Sequence, residues 1–315
     1  MKLASFMQEL TLLYSIALIG YILRKKEILP SGSERTLSAL LLNVTLPALI
    51  IFGMDVSFSI ENLKQFGLLS MMSAIVLMIS SLFSWWTVKR LTIKNTQKNA
   101  LEGIMIFGNQ GFLGIAVCFI LFGKTGVLFA TFFNFVYLLW IWTYGIYLFA
   151  RHSKVLPWRS VFLNPGVIST LIGFILLLLP GTLPHALSNT LEMLGKPTVP
   201  LSMLLIGVLL GGLPFNHLIS FFKKSHLWLA SFYKLLLFPI LLIPYIFFSL
   251  PLELVVVAVL TAGMPSAPTI SMYAERYGED ASFAAAGVML STILSCLTIP
   301  LLYALVLIIS SFTGV

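Results

Sequence analysis

The sequence predicts an all-α integral membrane protein: ten transmembrane helices in two inverted five-helix repeats, with crossed broken helices at spans 4 and 9. Three observations carry this. First, hydrophobic residues make up 59% of the 315 and charged residues only 10%, and mean hydropathy is +1.01, far from the balance of a soluble domain. Second, Leu18-Ile19-Gly20-Tyr21-Ile22-Leu23 recurs as Leu171-Ile172-Gly173-Phe174-Ile175-Leu176, and Thr45-Leu46-Pro47 recurs as Thr198-Val199-Pro200, both pairs 153 residues apart. A third echo sets Phe122-Gly123 against Tyr277-Gly278. Third, the charges fall between long apolar stretches, and the basic ones favour one side.

A spanning helix needs ~20 mostly apolar residues to cross ~30 Å of hydrocarbon. Ten stretches qualify: 6–23, 36–53, 66–86, 99–122, 126–149, 165–180, 197–213, 227–249, 253–274 and 281–309. With the N-terminus outside, the inner loops hold Arg24, Lys25, Lys26, Arg35, Lys89, Arg90, Lys94, Lys98, Arg151, Lys154, Arg159, Lys223, Lys224 and Arg276. The outer segments hold only Lys2, Lys64, Lys124 and Lys196. Fourteen against four is a positive-inside bias. The net charge of +8 therefore follows from membrane topology; it faces anionic lipid headgroups and does not indicate nucleic acid. Ten spans put both termini on the same, outer side. Five spans per half is odd, so the second half enters the membrane upside down.

The halves are 1–149 and 165–315, joined on the cytoplasmic side by 150–164, an interfacial linker anchored by Trp158. The first span lacks a preceding basic region and a small-residue cleavage site, so it does not read as a cleavable signal. Cys118 and Cys296 lie inside spans without a metal or disulfide pattern, and packing is their expected role. Asp55 and Glu61, after span two, are expected in solvent. Asn43 and Asn134 are expected as buried amides bonding between helices.

Two spans are interrupted in corresponding places. Span four contains Gly108-Asn109-Gln110-Gly111-Phe112-Leu113-Gly114, and span nine contains Gly263-Met264-Pro265-Ser266-Ala267-Pro268-Thr269. Proline inside a helix costs ~3 kcal/mol or more, and glycine ~1 kcal/mol relative to alanine. Neither string suits a continuous helix in lipid, and freed backbone groups there must face protein or a watery cavity. A matched pair of broken spans in two halves points to a transport site.

With these residues in order, the chain resembles the auxin efflux carrier family, whose bacterial members include malate and malonate permeases. The resemblance runs through Asn43 to Pro47 with Ala48-Leu49-Ile50, the Gly108 to Gly114 string, Asn164-Pro165, and Thr198-Val199-Pro200-Leu201 with Gly207. Met264-Pro265-Ser266 and Tyr277-Gly278 complete it. It implies that spans four and nine cross at their breaks with substrate beside the crossing, and that spans one, two, six and seven group apart from that core. In place of a proline common in the family two residues beyond the span-four motif, this chain has Ala116, so its break there is expected to be softer or to rest on glycine alone.

The candidate substrate-binding residues are Asn109, Gln110 and Gly111 in span four, and Pro265, Ser266, Pro268 and Thr269 in span nine. An amide offers two donors and one acceptor to a carboxylate or carbonyl, and the resemblance implies that an asparagine at 109 contacts substrate. Serine and threonine bring hydroxyls, prolines leave carbonyls, and a half-helix N-terminus favours an anion. Two charged residues are candidates for charge or coupling roles. Lys234 lies inside span eight, where a charge costs ~2.5–3.5 kcal/mol; it either snorkels to the inner face or attracts an anion. Glu102 either pairs with Lys98 one turn earlier or acts as a coupling acid.

No HExxH or CxxC motif occurs, and Gly123-Lys124-Thr125 lacks the earlier glycine and the strand of a phosphate-binding loop. The expectation is therefore not an enzyme. It is a secondary transporter of small organic anions such as mono- or dicarboxylates, working by alternating access in a plasma membrane of the bacterial inner-membrane type. A sodium-coupled symporter of the bile-acid type, or an anion channel, is the alternative. No cofactor and no metal are expected; H⁺ or Na⁺ stays open as coupling ion. The expected partners are the anion, membrane lipids and a second copy as homodimer, with no nucleic acid.

Overall fold

The computed structural model describes residues 3–150, 165–212, 223–248 and 250–313. The linker with Trp158, and Asn164 of the family resemblance, lie outside them. The regular elements among the described residues are helices, joined by turns and short loops. The helices are α1 (Leu3–Lys25), α2 (Ser33–Met54), α3 (Ile60–Arg90), α4 (Asn95–Ile106), α5 (110–122), α6 (124–150) and α7 (Pro165–Leu178). They continue with α8 (His185–Gly195), α9 (Thr198–Gly212), α10 (Ser225–Phe248), α11 (Leu252–Ala262), α12 (Thr269–Arg276) and α13 (Ala281–Thr313).

Among the described residues seven helical runs are long and apolar enough to cross a membrane, and two shorter apolar helices, α7 and α11, fall below that length. Large apolar side chains stand outward on them, Leu82 at 63% exposure and Leu297 at 74%. A soluble monomer does not leave such contiguous apolar surface uncovered. At the end of α3, Lys89 and Arg90 lie over the rings of Trp85 and Trp86, the aromatic and basic pairing of a membrane–water boundary.

Gly123 explains why α5 and α6 are two helices within one 41-residue run. Its backbone stands at φ 57° and ψ −135°, a conformation open to glycine. The chain folds back there so closely that a Cβ on Gly126 would lie 1.9 Å from the Cys118 carbonyl oxygen. Its sequence echo Gly278 also has positive φ, 75°, and ends α12 with a bond from the Glu279 N–H to the Ala274 carbonyl. Both glycines of the third echo therefore make left-handed turns.

Two compact units divide the chain. The first holds α1, α2, the start of α3 to Leu68, α5, α6 as far as Phe135, and α7 to α9. Within it α1 packs on α9, and α7 packs on the second half of α2. A Cβ on Gly20 would meet the Leu204 carbonyl oxygen at 2.3 Å, and one on Gly173 would meet the Met54 sulfur at 2.5 Å. The echoed glycines thus serve the same purpose in each half, each lying against a helix from the other half. Phe66, Phe132, Phe135 and Phe174 form an aromatic cluster in the same unit.

The second unit holds α3 from Leu69, α4 with the residues that follow it to Gln110, α6 from Val136, and α10 to α13. The N-terminal turn of α4 is tied to the loop before α13. Gln97 and Asn99 donate to Asp280 and Glu279 at 2.7 and 2.6 Å, and the Asp280 N–H donates to the Thr96 carbonyl. Asp280 also caps α13 by accepting the Phe283 N–H at 2.9 Å, as an N-cap carboxylate does.

Three expectations are corrected. Asp55 is not solvated: it is 4% exposed, accepting from the Leu183 N–H at 2.8 Å and the Ser188 hydroxyl at 2.7 Å, with Lys124 3.7 Å away. Asn43 is exposed and bonds only locally, to the Ala39 carbonyl, because it sits in a π-helical turn, Leu41–Thr45. Cys296 is exposed on α13, whereas Cys118 is buried. The segment before span seven, outside the ten expected spans, forms a helix, α8, whose 11 residues with His185, Ser188, Asn189, Thr190 and Glu192 are too short and polar to read as a span.

Candidate functional site

The site grows from the end of α4. Helix bonding stops at Ile106, and Phe107 takes an extended conformation, φ −92° and ψ 116°. In span nine α11 stops at Ala262, and α12 begins at Thr269 after Pro268. A helix of twelve residues is only ~18 Å long, so neither α4 nor α11 crosses the hydrocarbon alone.

The two interruptions satisfy each other's backbone groups. Gly108 and Ser266 form an isolated antiparallel bridge. The Asn109 N–H donates to the Pro265 carbonyl at 2.6 Å, and the Ala267 N–H donates to the Phe107 carbonyl at 3.0 Å. In a low-dielectric interior such groups would be costly left unpaired. Three side chains complete the pairing. The Ser266 hydroxyl donates to the Ile104 carbonyl at 2.8 Å, one of the orphan acceptors of the last turn of α4. The Ser291 hydroxyl of α13 accepts the Ser266 N–H at 3.0 Å. The Tyr137 hydroxyl of α6 donates to the Gly108 carbonyl at 2.6 Å.

Against this satisfied backbone, one side chain stands out. Asn109 is 5% exposed, and its carboxamide has no protein hydrogen-bond partner among the described residues. Gln110, the next residue, is also buried, at 1%. A Cβ on Gly111 would meet nothing within 4 Å.

Lys234 does not snorkel. It is 3% exposed, and its ammonium donates to the Ala262 carbonyl at 2.9 Å, at the C-terminus of α11. Nζ and Cε lie 2.8 and 2.9 Å from where a Cβ on Gly108 would stand. The π-helical turn Tyr233–Leu237 carries the side chain to this position, and such turns recur at functional sites.

The remaining candidates separate into engaged and open groups. The Pro265 carbonyl receives the Asn109 N–H; that of Pro268 receives the Ser271 and Met272 N–H groups and the Ser271 hydroxyl. The Ser266 proton is committed to Ile104. Thr269, at the first turn of α12, is half-buried with its hydroxyl unbonded among the described residues. Glu102 is buried four residues before the end of α4 and accepts from the Tyr144 hydroxyl of α6. Asn109, Ser266 and Lys234 are thus brought together around Gly108. Tyr137 and Ser291 escaped the sequence reading, because a lone hydroxyl in an apolar span carries no spacing signal.

Backbone breaks in apolar helices, paired with each other and lined by a buried amide and a buried lysine, define a polytopic membrane protein with polar groups inside its helices. The chain belongs to the membrane transport protein family, the auxin efflux carrier-like group, whose sequence profile matches residues 5–303. It is 27% identical over 299 residues to an uncharacterized transporter of Methanothermobacter thermautotrophicus, covering 91% of this chain and 93% of that protein. It is a multi-pass membrane transport protein and not an enzyme.

Proposed function

We propose that the protein is a secondary transporter of small organic anions, mono- or dicarboxylates, which cycles by alternating access about the meeting of spans 4 and 9. The observation that carries this reading is the bridge between Gly108 and Ser266, with the unbonded carboxamide of Asn109 beside it. A carboxylate would take the Asn109 amide N–H groups, and the Lys234 charge would offset its own. The Gln110 amide and the Thr269 hydroxyl would supply further polar contacts.

Ten spans follow when α4 is joined to α5 and α11 to α12 across their breaks. The exchanged packing of Gly20 and Gly173 supports an inverted repeat of five spans each. The positive-inside charge pattern supports a topology with both termini outside a bacterial inner membrane.

Energy bounds the direction of transport. One charge moved across 100 mV is worth ~2.3 kcal/mol, so a dianion leaves a cell that is negative inside and enters only with cations or in exchange. Flux in proteoliposomes tests the reading, with labelled malate, malonate, oxalate and indole-3-acetate under imposed voltage, pH and Na⁺ gradients. Saturable flux of one acid supports it. Unsaturating conductance in place of flux would make the protein a channel.

A further inference from the structure

We propose that Lys234 is a built-in cation of the helix break: its ammonium occupies the place at the C-terminus of α11 that a coupling sodium ion would otherwise take, and the carrier therefore cycles without Na⁺.

A helix C-terminus carries partial negative charge and carbonyls without intrahelical partners. In transporters with broken helices, those half-helix ends and the unwound carbonyls beside them coordinate the coupling cation. Here α11 ends at Ala262, and the acceptor at that end is filled by Lys234 Nζ at 2.9 Å. The ammonium is almost wholly buried, with no carboxylate within ion-pair distance among the described residues.

The neighbouring elements supply no alternative partner by composition. α13 has no charged residue, and the one in α11, Glu253, lies in its first turn, nine residues before Ala262. On α4 the Glu102 carboxylate takes the Tyr144 hydroxyl. On α10 the other titratable groups are His226, Tyr233 and Tyr245.

One feature is fitted around the ammonium. Position 108 is glycine where any Cβ would stand 2.8 Å from Nζ. The Gly108 carbonyl accepts from the Tyr137 hydroxyl. A cation tethered to α10 is not released in each cycle, so it supplies positive charge to the site without drawing on a sodium gradient. The consequence for flux rests on the transport reading above; the occupancy of the position does not.

The test has two arms on the purified full chain. In the first, thermal unfolding of wild type and Lys234→Ala is compared in sodium, ethylammonium and choline chloride at equal ionic strength. Wild type is expected to melt at one temperature in all three. Lys234→Ala should melt lower in choline and regain several degrees in ethylammonium or sodium, which enter the vacated position. A wild type stabilised by sodium, or a variant indifferent to the cation, would overturn the assignment.

In the second arm, wild-type flux in proteoliposomes should be equal in sodium and choline. Lys234→Ala should fall at least tenfold and recover with ethylammonium. Lys234→Met fills the aliphatic volume and serves if the alanine variant does not fold; it should lose flux with no rescue by any cation. Sodium-dependent wild-type flux, or full flux in Lys234→Met, sinks the proposal. If wild type moves none of the acids, the transport reading fails and the melting arm still decides the place of the cation.

Discussion

The backbone N–H of Asn109 donates to the carbonyl of Pro265 at 2.6 Å, so the residue's main chain is committed to the helix break while its side chain is not. This separation makes Asn109→Ala a clean probe. The bond to Pro265 survives the substitution, and so does the bridge between Gly108 and Ser266. We expect flux of the transported acid to fall at least tenfold, with a melting temperature in detergent close to wild type. A variant that melts early would show the amide to be a packing group. A variant with wild-type flux would remove Asn109 from the site.

Gly108→Ala places a methyl group 2.8 Å from Lys234 Nζ and 3.1 Å from the Met264 carbonyl oxygen. The lysine end is flexible, but it is buried and the Met264 backbone cannot retreat, so the ammonium is pushed off the Ala262 carbonyl. The expected outcome is a loss of flux comparable to that of Asn109→Ala, with a modest fall in melting temperature from overpacking, about 1–3 kcal/mol. Flux and unfolding measured on the same preparation separate the two effects.

The places where the helices break were legible in the sequence, because glycine and proline act on the backbone locally and no neighbour can supply the missing donor or Cβ. Where Lys234 and Asn43 point was not legible. Each sits in a π-helical turn, which adds a residue to the helix and rotates every face beyond it, so a helical period read from the flanking residues misplaces both. Asp55 was hidden for another reason. Its partners Lys124, Leu183 and Ser188 are distant in sequence, and only the packed helices bring them to it. The hydroxyls of Tyr137 and Ser291 resemble those of many other spans until the broken backbone they serve is visible.

Asp55 closes the first unit at the end of α2. Its two carboxylate oxygens hold the Leu183 N–H and the Ser188 hydroxyl, and Lys124 Nζ donates to its backbone carbonyl at 2.6 Å. Removing the carboxylate leaves buried donors unpaired, about 1–3 kcal/mol for each group. Lys124 is partly exposed, 34% at its side chain, and exposed ion pairs contribute about 0–1 kcal/mol. Asp55→Ala should therefore lower the melting temperature clearly more than Lys124→Met. The reverse order would mean that the charge pair, and not the hydrogen bonds, holds α8 to α2.

Gly207 on α9 lies against α1 with no space between the backbones: a Cβ there would stand 1.8 Å from the Ala17 carbonyl oxygen and 2.7 Å from the Tyr21 nitrogen. Small residues permit this approach of helices where lipid supplies no hydrophobic drive for association. Because the obstructing atoms are backbone, α1 and α9 must separate to admit even a methyl group. Gly207→Ala should destabilise the protein by about 1–3 kcal/mol, visible as a lower melting temperature in detergent. Gly67→Ala is the matching control. A Cβ on Gly67 meets nothing within 4 Å, and alanine restricts the unfolded chain and favours the helix by about 0.4–1 kcal/mol, so that variant should melt at or above wild type. Equal melting of the two variants would show that α1 and α9 are free to slide apart, and that their close approach is not a fixed feature of the unit.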